Sequence, residues 1–200
     1  MMTEIVFATG NAGKAREVAM MFSDMDVCVK TLKEADIHAD IIEDGKTFME
    51  NARIKAKTIA RFTDKIVLAD DSGLVIDYLN GEPGIYSARY MGEDTSYDIK
   101  NANILKRMEN VPTEERTARF ICAMAAVMPD GEVIEAEGVM EGIIGTKSAG
   151  TNGFGYDPIF YLPEYEASSA EITPEQKNEI SHRGKALRKM QEELRKRIQG

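Results

Sequence analysis

Residues 117–128 (TARFICAMAAVM) and 132–144 (EVIEAEGVMEGII), joined at Pro129-Asp130-Gly131, decide the fold class. Each run has strand length and strand composition, and Pro-Asp-Gly is a good turn sequence, so the pair reads as a long antiparallel hairpin. The chain before it reads differently. Residues 3–9 predict a strand, 12–23 a helix, 26–31 a second strand and 46–63 a long helix. Strands that alternate with helices make βα units, and βα units followed by a hairpin give a mixed α/β sheet, not a pure doubly wound one.

Ile66-Val67-Leu68-Ala69 reads as a buried strand, broken by Asp70-Asp71-Ser72-Gly73 and resumed by Leu74-Val75-Ile76. A helix is expected over 94–109. Beyond the hairpin, a glycine-rich loop from Gly150 to Gly155 leads to Tyr156-Asp157-Pro158 and a short strand at 159–161. Lys177 is expected in a loop. A last helix covers 182–198, with Ser181 as its N-cap and Arg195, Lys196 and Arg197 in its last turn, where the helix dipole favours them.

The chain of 200 residues is 43% apolar and 30% charged, an ordinary composition for one domain over 1–200 or for two lobes around a cleft. The net charge of −9 makes it a poor general binder of nucleic acid. Two cysteines without metal-ligand spacing, and only two histidines, argue against a zinc site and fit a reducing cytoplasm. No apolar run has the length of a membrane span, and no signal peptide is expected.

Chemistry enters at Thr9-Gly10-Asn11-Ala12-Gly13-Lys14, between the first strand and the first helix. Free N–H groups and the positive end of the dipole at a helix start suit a phosphate. Lys14 there opposes the dipole unless an anion binds. The spacing is not that of an ordinary P-loop, because Gly10 and Gly13 are too close and Ala15 stands where a metal-binding hydroxyl belongs. A phosphate loop and a plain βα turn with a solvated lysine both remain open on these residues.

In the helix over 46–63, Phe48, Ala52, Ala56 and Ile59 form the apolar stripe, and Lys55 falls within it with Asn51 one turn earlier. An inward lysine is costly unless paired, the alternative being a buried stem with its ammonium at the rim. In the last helix, Arg183 shares the inward face of Leu187, Met190 and Leu194, with His182 beside it. Three cations near one helix start, Lys177 included, again suit an anion. Asp70 and Asp71 point to opposite faces of a strand, so one can orient a lysine while the other meets a metal or a water. Glu43, in the acidic loop ending at Gly45, is a candidate second carboxylate. Mg²⁺ suits such a site, taking one or two carboxylates with phosphate oxygens and waters.

Several motifs then occur in one order: Thr9 to Lys14; Thr47-Phe48-Met49-Glu50-Asn51-Ala52 with Lys55-Ala56; Ala69-Asp70-Asp71-Ser72-Gly73-Leu74; Pro83 to Arg89; Gly153-Phe154-Gly155-Tyr156-Asp157-Pro158-Ile159-Phe160; and Ser181-His182-Arg183-Gly184. In this set the chain resembles the inosine triphosphate pyrophosphatase family, also called Ham1-like or XTP/dITP pyrophosphatases. The resemblance implies an elongated mixed sheet with flanking helices, two lobes around an active-site cleft, and a homodimer. It implies hydrolysis of ITP, dITP or XTP to monophosphate and pyrophosphate with Mg²⁺. By the same resemblance Thr9, Gly10, Asn11, Ala12, Gly13 and Lys14 hold the phosphates, supported by Lys55. Glu43 and Asp71 are the metal ligands, Asp71 is also the base, and Ser72 lies against the substrate. Phe154, Gly155, Tyr156, Asp157, Lys177, His182 and Arg183 surround the base. The alternatives are a Maf-like pyrophosphatase acting on other modified nucleotides and a non-catalytic nucleotide sensor.

Overall fold

The computed structural model describes residues 2–198. Its elements run β1 (Thr3–Phe7), α1 (Ala12–Met21), β2 (Val27–Thr31), α2 (Phe48–Ile59), β3 (Ile66–Ile76), α3 (Tyr97–Arg107), β4 (Thr117–Val127), β5 (Val133–Ile144), β6 (Phe160–Leu162), β7 (Ala167–Ser168), α4 (Pro174–Ile180) and α5 (His182–Ile198). The seven strands form one sheet in the order β2-β1-β3-β4-β5-β6-β7. β1 pairs in parallel with β2 and β3, while β6 pairs antiparallel with β5 and β7. The sheet is therefore mixed, as the βα units and the hairpin require. Met128 N–H donates to Glu132 O at 2.8 Å and closes the hairpin turn around Pro129-Asp130-Gly131.

The described residues divide into two compact units, one comprising 2–71, 122–138 and 185–198 and the other 72–121 and 139–184. The core of the first is built from Ile5 and Phe7 of β1, Val18 and Phe22 of α1, Ile66 and Leu68 of β3, and Leu187 and Met190 of α5. Ile5, Val6 and Phe7 are all buried, as a parallel strand covered on both faces requires. The core of the second gathers Leu74 and Ile76 of β3, Ile104 of α3 with its C-cap Met108, and Phe120 and Phe160.

Two expectations change. β3 is one unbroken strand of 11 residues, not two runs separated by a turn at 70–73. Asp70 and Asp71 stay in the strand because each carboxylate has a cation or an amide facing it, which offsets the cost of burial. Lys177 lies on helix α4, not in a loop. Thr173 caps that helix in a capping box with Gln176, and Pro174 occupies its first turn.

Candidate active site

In the first unit the polar group is built on β3 and α2. Successive side chains of β3 leave opposite faces. Asp70, 1% exposed, meets Lys14 Nζ at 2.8 Å. Asp71 accepts from Asn51 Nδ2 at 3.1 Å and lies 3.6 Å from Lys55 Nζ. Lys55 Nζ also donates to Glu43 Oε2 at 3.0 Å. α2 can present Asn51 and Lys55 together because they stand one turn apart. The Thr47–Glu50 capping box starts the helix, and Phe48, Ala52, Ala56 and Ile59 bury its stripe. Lys55 is thus buried and paired, not snorkelling.

These pairings shape the protonation. Burial alone lowers the pKa of Lys55, but the carboxylates of Asp71, Asp70 and Glu43 outweigh it and the net displacement is upward. Asp71 is raised above the usual carboxylate range, chiefly by burial; Lys55 and the Asn51 amide pull it back and Glu43 adds to the rise. Lys55 therefore stays charged, and Asp71 is a better proton acceptor than an exposed aspartate.

At the start of α1, Asn11 is the N-cap. Its Oδ1 accepts from Gly13 N at 2.9 Å and Lys14 N at 3.1 Å, while Thr9 Oγ1 accepts from Asn11 N at 3.1 Å. Ala12 opens the helix, and Gly10 is exposed with open space around it. The structure brings Thr9 to Lys14 to β3 through the Lys14–Asp70 pair, and brings Glu43, Lys55 and Asp71 together.

Glu43 and Asp71 already converge on one positive charge, the Lys55 ammonium, and offer only hard oxygen donors. Among the described residues no group of three or more His, Cys, Asp and Glu side chains could hold a metal ion. Two carboxylates fit a divalent cation that keeps waters or phosphate oxygens in its remaining positions.

The second unit holds the other group. Arg183 Nη2 donates to Ser72 Oγ at 3.1 Å, and its guanidinium lies 5.5 Å from the centroid of the Phe154 ring. Lys177 Nζ lies 5.4 Å from the same ring and is bonded to Asp157 Oδ2. Asp157 also accepts from Phe154 N at 2.8 Å and from Ser169 Oγ at 3.0 Å. Asp157 is therefore the hub of this group. A side chain on Gly153, whose φ is +74°, would come within 2.2 Å of its carboxylate, which accounts for the glycine. Gly155 O accepts from Asn101 Nδ2 at 3.0 Å, and the buried Tyr156 donates its hydroxyl to Ser87 O at 2.7 Å. His182 stacks on Phe120, with ring centroids 4.9 Å apart. Ser181 Oγ caps the start of α5 by accepting from Gly184 N, and a Cβ on Gly184 would meet Asn178 O at 2.0 Å. Ser-His-Arg-Gly thus combines a cap, two functional candidates and a point of close backbone approach.

Two buried residues, Ser169 and Asn101, escaped the sequence reading, and Asn51 was seen beside the apolar stripe but given no role. Asn51 holds Gly45 N through its Oδ1 as well as Asp71 through its amide. Ser169 and Asn101 support Asp157 and Gly155. Asn51 was detectable as a polar neighbour of the apolar stripe; Ser169 and Asn101 carry no local signal.

The sequence model of the Ham1 family matches residues 5–193. The dITP/XTP pyrophosphatase of Geobacillus kaustophilus is 48% identical over 200 residues, covering 100% of this chain and 98% of its own. That of Clostridium perfringens is 46% identical, covering 97% and 98%. The solved structure of the Staphylococcus aureus Ham1 protein superposes with a TM-score of 0.88 at 40% identity, covering 98% of this chain and 100% of its own. A HAM1 protein from Coxiella burnetii gives 0.89 at 39%, with the same coverage. With the family's sequence model spanning nearly its whole length and relatives close to half identical end to end, this chain belongs to the Ham1 family.

Proposed function

We propose that the protein hydrolyses non-standard purine nucleoside triphosphates of the dITP and XTP kind to the monophosphate and pyrophosphate, as a single Ham1-like domain. The observation that carries the reading is the meeting of Lys14 with Asp70 and of Lys55 with Asp71 and Glu43, two lysines set against neighbouring carboxylates of one strand. Lys14, the N–H groups at the start of α1, and Lys55 bind and orient the phosphates. Glu43 and Asp71 would hold Mg²⁺, which when bound supplies charge neutralisation for the phosphates and makes water more acidic. Asp71 takes the proton of the attacking water, a role its raised pKa favours.

In the second unit, Arg183, Lys177 and His182 donate hydrogen bonds to the 6-oxo group of the base, and Phe154 offers a ring for stacking. Ser72, Gly155, Tyr156 and Asp157 shape that pocket. A 6-amino group would set donor against donor. A site built to bond one group rejects an analogue lacking it by ~10⁴–10⁵. By its likeness to the family the working protein is a cytoplasmic homodimer.

The test is kcat/KM for dITP, XTP and dATP with Mg²⁺, with pyrophosphate and monophosphate both quantified. Pyrophosphate from dITP and XTP, far faster than from dATP, is expected, and in ¹⁸O-water the label enters the monophosphate. Equal rates for dITP and dATP would overturn the pocket assignment. Orthophosphate without monophosphate would mean an ordinary triphosphatase.

A further inference from the structure

Three of the cationic or N–H groups at the start of α1 already have partners within the chain. Asn11 Oδ1 takes the N–H groups of Gly13 and Lys14. Asp70 Oδ2 takes the Lys14 ammonium at 2.8 Å. Asp70 belongs to the interior of β3 and is 1% exposed, whereas the Lys14 side chain keeps 17% of its surface. The carboxylate is thus fixed and the ammonium is the accessible partner. A phosphate arriving at Lys14 must share it with a buried anion that cannot move away.

We propose that Asp70 is a positioning residue whose charge competes with phosphate for Lys14, holding the lysine in place while keeping its grip on pyrophosphate weak enough for release. The inference rests on the reading that residues 9–14 hold phosphates. Two effects set its sign. Without Asp70, Lys14 would lose its orienting partner, which weakens anion binding. It would also lose the charge that offsets its own, which strengthens anion binding. At a buried, water-poor position the second effect dominates, because removing one member of a buried pair leaves the other charge uncompensated and in need of a counter-ion. A merely structural aspartate gives the opposite sign, since damage to the site can only weaken binding.

The experiment is calorimetric titration of inorganic pyrophosphate into the full-length protein in EDTA, so that no metal ion contributes. The proteins compared are the wild type, Asp70→Asn, Lys14→Met and the double variant. Asn has the shape of Asp without its charge, and circular dichroism checks the fold; Asp70→Ser replaces it if Asn does not fold. Asp70→Asn is expected to tighten pyrophosphate about tenfold, the worth of one charge-assisted hydrogen bond. Lys14→Met is expected to weaken it, and Asp70→Asn to have no effect in the Lys14→Met background. If Asp70→Asn weakens pyrophosphate or leaves it unchanged while Lys14→Met weakens it, the competition is disproved and the phosphate site stands. If Lys14→Met binds as the wild type does, the phosphate site itself is wrong and the inference goes with it.

Discussion

Two pairs of cations, one in each unit, are held by different kinds of oxygen. In the first unit Lys14 and Lys55 face carboxylates, Asp70 for one and Glu43 and Asp71 for the other. In the second, Arg116 and Lys100 face backbone carbonyls. Arg116, 3% exposed, donates to Ile144 O, Met108 O, Val111 O and Gly145 O. Lys100, 1% exposed, donates to Ala88 O. A carboxylate is an anion, so another anion can take its place, and a cation can be exchanged or shared. A ring of carbonyls holds its cation by geometry and has no charge to trade. The first arrangement belongs to a site that handles phosphate; the second is scaffolding. Lys177 of the second unit, paired with Asp157, follows the first pattern and lies in the group proposed to read the base.

The contrast makes its largest demand at Asp71. Asp71→Asn keeps the shape and the bond from Asn51 but removes the negative charge and the proton acceptor. Turnover of dITP should fall by ~10²–10⁴, the usual worth of a general base, with the circular dichroism spectrum unchanged. A loss of less than about tenfold lies below that range and would remove Asp71 from the chemistry.

Arg116 should fail in the other way. Arg116→Leu removes a donor from four carbonyl oxygens, of which Met108 O, just past α3, keeps the Val111 N–H as a second donor. The expected cost is about 3–5 kcal/mol of stability, read from urea unfolding. Arg116→Lys should recover little of it, since an ammonium has three donors and cannot match the planar fork. If Arg116→Leu were as stable as the wild type, the carbonyl cage would be incidental and the comparison would lose its structural half.

Much of this was legible in the sequence where a local rule and the tertiary outcome agree. The hairpin was, because strand composition and Pro129-Asp130-Gly131 point the same way. Lys55 was, because a polar residue inside an apolar helical stripe must be paired or at a rim, and here it is paired. β3 was not. Asp70-Asp71-Ser72-Gly73 has turn composition, and partners distant in sequence, Lys14, Asn51 and Lys55 among them, let two carboxylates stay in a buried strand. α4 was missed although Thr173, Pro174 and Gln176 carry its capping signature. In the second unit Lys177, His182 and Arg183 were legible as cations gathered at one helix start, whereas their grouping with Phe154 and Asp157 was reached by resemblance. Asp157 organises it through Phe154 N, Ser169 and Lys177, partners that no spacing rule joins.

The smallest expected effect separates the two kinds of lysine by pH. Burial lowers the pKa of Lys100, with no carboxylate to offset it, whereas the carboxylates around Lys55 raise its pKa. Between the depressed folded value of Lys100 and the ordinary lysine value of 10.5, the unfolded chain binds more protons at this position than the folded one. The wild type therefore gains stability from Lys100 as pH rises through that window. Lys100→Met lacks the gain, so its stability relative to wild type should decline slightly as pH rises towards 10.5. Lys55 behaves oppositely. A raised folded pKa gives stability that is fully present below 10.5 and is lost only as pH climbs through the folded value. The difference between Lys55→Met and wild type should therefore stay flat over the same interval. Urea midpoints of the three proteins at pH 8, 9 and 10 would show one sloping difference and one level one. Two level lines would mean that Lys100 titrates as an exposed lysine does, and that a carbonyl partner shelters an ammonium as well as a carboxylate.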